Sequence, residues 1–228
     1  MAVVETHKTI KVSEGGPIMP ELDDKQRIVD VASKQFMENG ISKVTLDEVA
    51  SELGMSKKTM YKFFPSKEDL LRTIVHTMMN SLRARVEAVV NSDKPFVDKA
   101  QGLLTIIGNQ ISSLSKQFLT DLQRFTPELW KEIDEFRRQR ILTSVRKIFV
   151  QAKDEGIFRK DLDIDLFILV FIGSVQTIVN PQTLAQQSFS AQEALHGIFR
   201  IIFEGAMTEE ARRSSRLFEQ SMANLTER

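Results

Sequence analysis

Residues Thr45 to Leu70 read TLDEVASELGMSKKTMYKFFPSKEDL, and local signals alone trace two short helices joined by a tight turn. Thr45 is an N-cap with Glu48 three residues on, the spacing of a capping box. Gly54 stands where the chain must turn sharply, with positive φ expected. Ser56 caps a second helix, which Pro65 closes after Phe63 and Phe64. Ser66 and Asp69 repeat the capping spacing and open a further helix toward about Val90. Val49, Leu53, Met55, Met60 and Phe63 are spaced to bury the apolar sides of both short helices against a first helix, expected from about Leu22 to Asn39. Ala50 is small where the helices cross, and the whole is the packing of a helix-turn-helix.

The outward side of the second short helix carries Lys57, Lys58, Thr59, Tyr61 and Lys62, with Lys67 just beyond. Between Ser56 and Lys67 there are four lysines and no acidic residue. Such a helix fits a major groove about 12 Å wide, where its first residues meet base edges and its flanks meet phosphates. Backbone amides at the helix starts, Thr45 and Ser56, are expected to attract phosphate. A lysine run taken alone reads equally as a solvated face, with Tyr61 as a packing residue. Its placement on a helix-turn-helix is what turns the reading toward double-stranded DNA.

The same stretch resembles the N-terminal domain of the TetR family of transcriptional regulators. That pattern is a threonine-started helix, a glycine turn, a tyrosine followed by a phenylalanine, and a serine-lysine-glutamate helix start. Thr45, Val49, Ala50, Gly54, Ser56, Thr59, Tyr61, Phe64, Ser66, Lys67, Glu68 and Leu70 match it. The resemblance covers about 50 residues, from Lys25 to Val75. It implies that Lys57, Lys58, Thr59 and Lys62 face bases or nearby phosphates, while Thr45, Tyr61 and Lys67 hold the backbone. Two positions depart from the pattern: Lys58 stands where the family usually has a small residue, and Phe63 where it often has a histidine. Both bear on which operator is read.

Composition bounds what surrounds this motif. The chain has 228 residues, 42% of them hydrophobic, enough for a real core. With 31 basic and 31 acidic residues its formal net charge is zero, so attraction to DNA has to be local. There is no cysteine, which excludes disulfides and thiol chemistry and points to a reducing cytoplasm. The three histidines are scattered, so no metal site or cofactor is expected. The most apolar run, Leu166 to Val175, is about half the length of a membrane span. No G-x-S-x-G elbow, H-E-x-x-H pair or phosphate-binding glycine loop occurs, and an enzyme is not expected.

Outward from the motif, the expected fold is all-α. Residues 1 to 20, with Gly15, Gly16, Pro17 and Pro20, read as a flexible extension. A helix-turn-helix DNA-binding domain follows over 21 to 75, then a larger helical effector-binding and dimerisation domain over 76 to 228. Thr126 and Pro127 launch a helix expected to run unbroken to Gly156. Helices from Asp163 to Val179 and from Ser190 to Met207 are apolar around most of their circumference. One stripe of each can face its own domain while another needs a partner. Phe167, Phe171, Leu195, Ile198, Phe199 and Ile202 are the expected homodimer contacts, with a large monomer core as the alternative.

By the resemblance, the larger domain holds a small-molecule effector. Met79, Leu104, Ile107, Phe118, Phe125, Trp130, Ile133 and Phe136 are expected to line the cavity, and Arg137 and Gln176 to orient the ligand. These apolar faces read equally as ordinary core. The expected function is a repressor released from a palindromic operator by a small, largely apolar effector. An activator-like response stays open, as does the alternative of a helical protein-interaction module whose helix-turn-helix no longer binds DNA. The effector, the operator and the regulated genes have no signature in the sequence.

Overall fold

The computed structural model describes residues 20–214. Its elements are α1 (Pro20–Asn39), α2 (Leu46–Glu52), α3 (Lys57–Phe63), α4 (Lys67–Val90), α5 (Phe96–Ser112), α6 (Lys116–Phe125), α7 (Pro127–Phe136), a π-helical turn (Arg137–Ile141), α8 (Leu142–Asp154), α9 (Ile164–Ile178), α10 (Pro181–Ala185), α11 (Ala191–Ala206) and α12 (Glu209–Ser214). Among the described residues there is no strand, and one isolated antiparallel bridge joins Phe158 to Met207. The chain is all-α, with an N-terminal helix-turn-helix, as the patterning indicates. The extension expected over residues 1 to 20 lies outside the described residues, save Pro20, which opens α1. A proline there sacrifices no bond, because first-turn amides have no partner within the helix. Among the described residues, no helix is long and apolar enough to cross a membrane.

Two apolar clusters organise the packing. The first joins Ile28, Ala32 and Phe36 of α1 to Val49 and Ala50 of α2, Met60 of α3, and Leu70, Leu71 and Ile74 of α4. Phe118, Leu122 and Leu129, from α6 and α7, close it from below. The second gathers the far end of α4 (Val86, Val90) with residues of α5, α8, α9 and α11. Its centre is aromatic: Phe203 stacks on Phe199 at 3.7 Å and meets Phe167 edge-on at 5.3 Å, while Phe149 meets Phe167 at 5.0 Å. Burying each such side chain contributes about 1.5–3 kcal/mol. The helix α4 runs without a break through the boundary expected at 75/76 and supplies side chains to both clusters.

The helix expected to be continuous from Thr126 to Gly156 is instead interrupted. Arg137 to Ile141 form a π-helical turn between α7 and α8. An inserted residue of this kind shifts the register of the faces beyond it. The apolar side of α7 therefore belongs to the first cluster and that of α8 to the second.

Candidate nucleic-acid interface and effector cavities

The reading element is built from three caps and one glycine turn. Thr45 forms the capping box: its Oγ1 accepts the Glu48 amide at 3.2 Å, and its own amide donates to Glu48 Oε2 at 2.7 Å. Beyond α2, Gly54 adopts φ +65°. The Gly54 amide reaches the Ser51 carbonyl (3.1 Å) and the Met55 amide the Ala50 carbonyl (2.8 Å), which together make a Schellman closure. Ser56 Oγ then accepts the Thr59 amide at 3.1 Å and shares a hydrogen with Thr59 Oγ1 at 2.8 Å. Ser66 caps α4 by accepting from the Asp69 amide at 3.1 Å. Each signal is local, so α3 is held at both ends by its own neighbours.

Burial orients α3. Met60 is 0% exposed, against α1 and α2, while Phe63 is half-buried beneath. Lys57, Lys58, Tyr61 and Lys62 are exposed and Thr59 is intermediate. Lys58, Tyr61 and Lys62 follow from Met60 pointing in, since positions one and two residues away on a helix face elsewhere, while Lys57 shares the side of Met60 and is exposed because it stands in the first turn.

Several of the expected contacts are already engaged within the chain. Lys57 Nζ sits 2.6 Å from Asp47 Oδ2 of α2. That hydrogen bond and the adjoining negative charge raise the ammonium above its ordinary range. Spatially, then, the lysine surface is not free of acid, although no acidic residue lies between Ser56 and Lys67 in the chain. Thr45, expected to offer its amide to phosphate, donates that amide to Glu48 instead. Lys67 is half-buried, with its ammonium 6.0 Å over the Phe36 ring. Burial pushes its pKa down, against the opposing pull of Asp121 and Glu48.

Sequence reasoning missed the post beneath this platform. Asp121 of α6 is buried, accepts the Ser42 amide at 2.7 Å and holds Gln117 Nε2 at 2.6 Å. Burial opposes its charge, but those hydrogen bonds outweigh the penalty and keep the carboxyl below the ordinary range. A second tie joins α4 to α7: Glu132 accepts from Arg72 and is bonded to His76 Nε2 at 2.8 Å. No local signal exists for partners 79 and 56 residues apart.

Among the described residues, the lining expected of one effector cavity is divided between two. The first opens among α4, α5, α6 and α7, with about 540 Å³ of empty space, its open mouth included. Met79, Phe118, Trp130, Ile133, Phe136 and Arg137 line it, all among the expected residues. The second, about 560 Å³ on the same measure, lies among α5, α8, α9 and α11 and takes Leu104 and Ile107. Phe125 is exposed, near Arg124, and lines neither. Gln176 lines neither as well; its amide nitrogen is buried without a hydrogen-bond partner.

The stripe expected to meet a second subunit faces inward. Phe167, Leu195, Ile198 and Phe199 are buried within the subunit. Phe171 lines the second cavity, and Ile202 packs half-buried on the same cluster. Helical period identifies stripes on an all-round apolar helix but not which stripe the subunit keeps. The one left to solvent carries Leu166, Leu169 and Val170 of α9 and Ile201 of α11.

Residues 28–74 match the family described as bacterial regulatory proteins, tetR family. The helix-turn-helix is thus of the tetR-family type. Over 187 residues the chain is 23% identical to the HTH-type transcriptional regulator YvaF of Bacillus subtilis, covering 81% of this chain and 96% of that one. It is 26% identical over 147 residues to the HTH-type transcriptional repressor KstR2 of Mycobacterium tuberculosis, covering 61% and 71%. The crystal structure of a TetR/AcrR-family regulator from Thermobifida fusca superposes with a TM-score of 0.60 at 22% identity, over 80% of this chain and 98% of that one. The likeness of fold extends beyond the helix-turn-helix, over most of the described chain.

Proposed function

We propose that this TetR-family regulator is a repressor that binds a palindromic operator as a homodimer and leaves it when a small, largely apolar effector enters the core. The observation that carries the reading is the orientation of α3: Met60 locks one side into the core, while Lys58, Tyr61 and Lys62 stand on the other and Lys57 is exposed in the first turn. That face has the charge and width to enter a major groove, with bases met by Lys57, Lys58, Thr59 and Lys62 and phosphates by Tyr61 and Lys67. KstR2, one of the relatives, is named a repressor. Residues 21 to 75 would carry DNA binding and the remainder effector binding and pairing.

A palindrome needs two copies, and the apolar face of α9 and α11 supplies the means. Leu169 is 67% exposed and Ile201 72%, large values for such side chains. Gly173, Gly197 and Gly205 have nothing near the position a Cβ would occupy, so a second copy's helices could approach closely there. Four helices, two from each copy, would make a symmetric interface and set two α3 helices about 34 Å apart. An effector that favours the wrong separation would weaken operator binding roughly 5–150-fold, for a coupling of about 1–3 kcal/mol.

The test is selection of bound sequences from random duplexes, followed by a salt titration of the selected site. A palindrome is expected, with affinity that falls steeply as salt rises and that Lys58→Ala and Lys62→Ala each weaken without unfolding the protein. Unchanged affinity in both variants, or no selected sequence, overturns the assignment and leaves a helical interaction module.

A further inference from the structure

We infer that the first cavity takes an amphiphile with one carboxylate head, seated on Arg137; the inference rests on reading that cavity as the effector site. Of its thirteen lining residues all but Gln110 and Arg137 are apolar. Arg137 stands where those apolar walls meet solvent, and partly desolvating a guanidinium is costly unless a partner meets it. The partner supplied from within is thin. Asp134, one turn earlier on α7, reaches Arg137 Nη1 at 3.4 Å, too long for a strong bond. A guanidinium has five N–H donors in a fixed fork, so most of that capacity is left for something else.

The group is nevertheless held in place. Its carbon lies 5.8 Å over the Trp130 ring, a cation–π contact that seats it against the wall. Arg137 is also the first residue of the π-helical turn, an irregularity that commonly marks functional positions in helices. The packing around the guanidinium works against its charge, while 40% of the side-chain surface remains accessible. Desolvated walls and an accessible charge together favour an anion over water.

Gln110 agrees on the sign. Its Oε1 accepts from Arg85 Nη2 at 2.8 Å, which leaves the two amide N–H groups as its main unused polar capacity. The capacity left on both polar lining groups is for donating, which suits a ligand that accepts. A carboxylate matches the planar fork of arginine in two parallel bonds, and the remaining walls ask for an aliphatic or ring body.

Trp130 is the single tryptophan of the chain, so its fluorescence reports this cavity directly. Decanoate, decan-1-ol and decyltrimethylammonium, each below its micelle concentration, are titrated into the full chain. Decanoate is expected to bind about tenfold or more tighter than decanol, the worth of a charged hydrogen bond, and the ammonium to leave the emission unchanged. In Arg137→Met, with helicity checked by circular dichroism, the preference for decanoate is expected to vanish while decanol binding persists. Equal affinity of the wild type for decanoate and decanol overturns the carboxylate inference and spares the cavity. A preference that survives in Arg137→Met overturns Arg137 as its seat. No response to any of the three overturns the effector-cavity reading itself. Should Arg137→Met fail to fold, the wild-type series and Arg137→Lys, which keeps the charge, still decide.

Discussion

Asp47 of α2 and Lys57 of α3 form an ion pair across the glycine turn, Oδ2 to Nζ at 2.6 Å. The Lys57 side chain is largely accessible and that of Asp47 partly so, and such a pair contributes little to stability. Its effect is on the charge offered to DNA, because one of the lysines of α3 arrives already matched. Asp47→Ala is therefore expected to tighten non-specific duplex binding several-fold and to steepen the salt dependence by about one counterion. Fluorescence anisotropy across a salt series checks this, and a weaker-binding variant would mean that the pair instead aims Lys57 at the backbone.

Asp121 should act as a keystone between α6 and the turn after α1. Asp121→Asn keeps the shape but removes the charge that two donors address, and a loss of about 1–3 kcal/mol is expected. The pH dependence has a definite sign. Because its folded-state carboxyl titrates below the ordinary range, the stabilisation is fully present above about pH 4, the unfolded value, and fades as pH falls toward the folded one. Glu132 shifts the same way, chiefly through its hydrogen bond to His76. Chemical denaturation of wild type and Asp121→Asn at pH 7 and pH 3 is expected to show the gap between them narrowing in acid.

Two glycines with positive φ should differ in their tolerance of alanine. At Gly54, φ is +65° and an added Cβ would meet nothing within 4 Å, so Gly54→Ala costs the backbone strain alone, about 1–2 kcal/mol. At Gly40, φ is +86° and the same atom would come within 2.5 Å of Gln117 Cγ and 3.1 Å of Asp121 Oδ2. Gly40→Ala is expected to lower Tm clearly more than Gly54→Ala, as differential scanning calorimetry would show; equal losses would mean that α6 yields without cost.

Pairing through α9 and α11 is tested on the solvent-facing stripe. Leu169→Glu and Ile201→Glu place a charge where each side chain is mostly exposed in the single subunit, so helicity and Tm should change little. Light scattering is expected to report monomers, and operator affinity to fall with loss of the second half-site. Dimers that persist in the double variant would move the interface elsewhere.

How far the sequence could be read follows the range of the interactions involved. Thr45, Gly54, Ser56 and Pro65 act on backbone within a few residues of themselves, and the helices they delimit are where local chemistry puts them. Lys57 could be placed at the surface from its charge alone. Its pairing with Asp47 could not, since that depends on how two helices cross. Asp121 meets Ser42 and Glu132 meets His76 only after the chain has closed on itself. On α11, Phe199 and Ile201 are equally apolar neighbours; the first is claimed by the aromatic cluster around Phe203 and the second is left outside. The π-helical turn has no breaker residue to announce it, which is why the division of one expected cavity into two was illegible.

The unbroken course of α4 has a mechanical consequence. At 1.5 Å per residue its 24 residues form a rod of about 36 Å. Near one end Leu70, Leu71 and Ile74 grip the helix-turn-helix, and further along Met78, Met79 and Leu82 form one wall of a cavity. A beam clamped in this way cannot swing at the wall and stay still at the grip. Swelling of the cavity by an ångström is therefore expected to reach α3 as a change of angle, since the rod has no break between them.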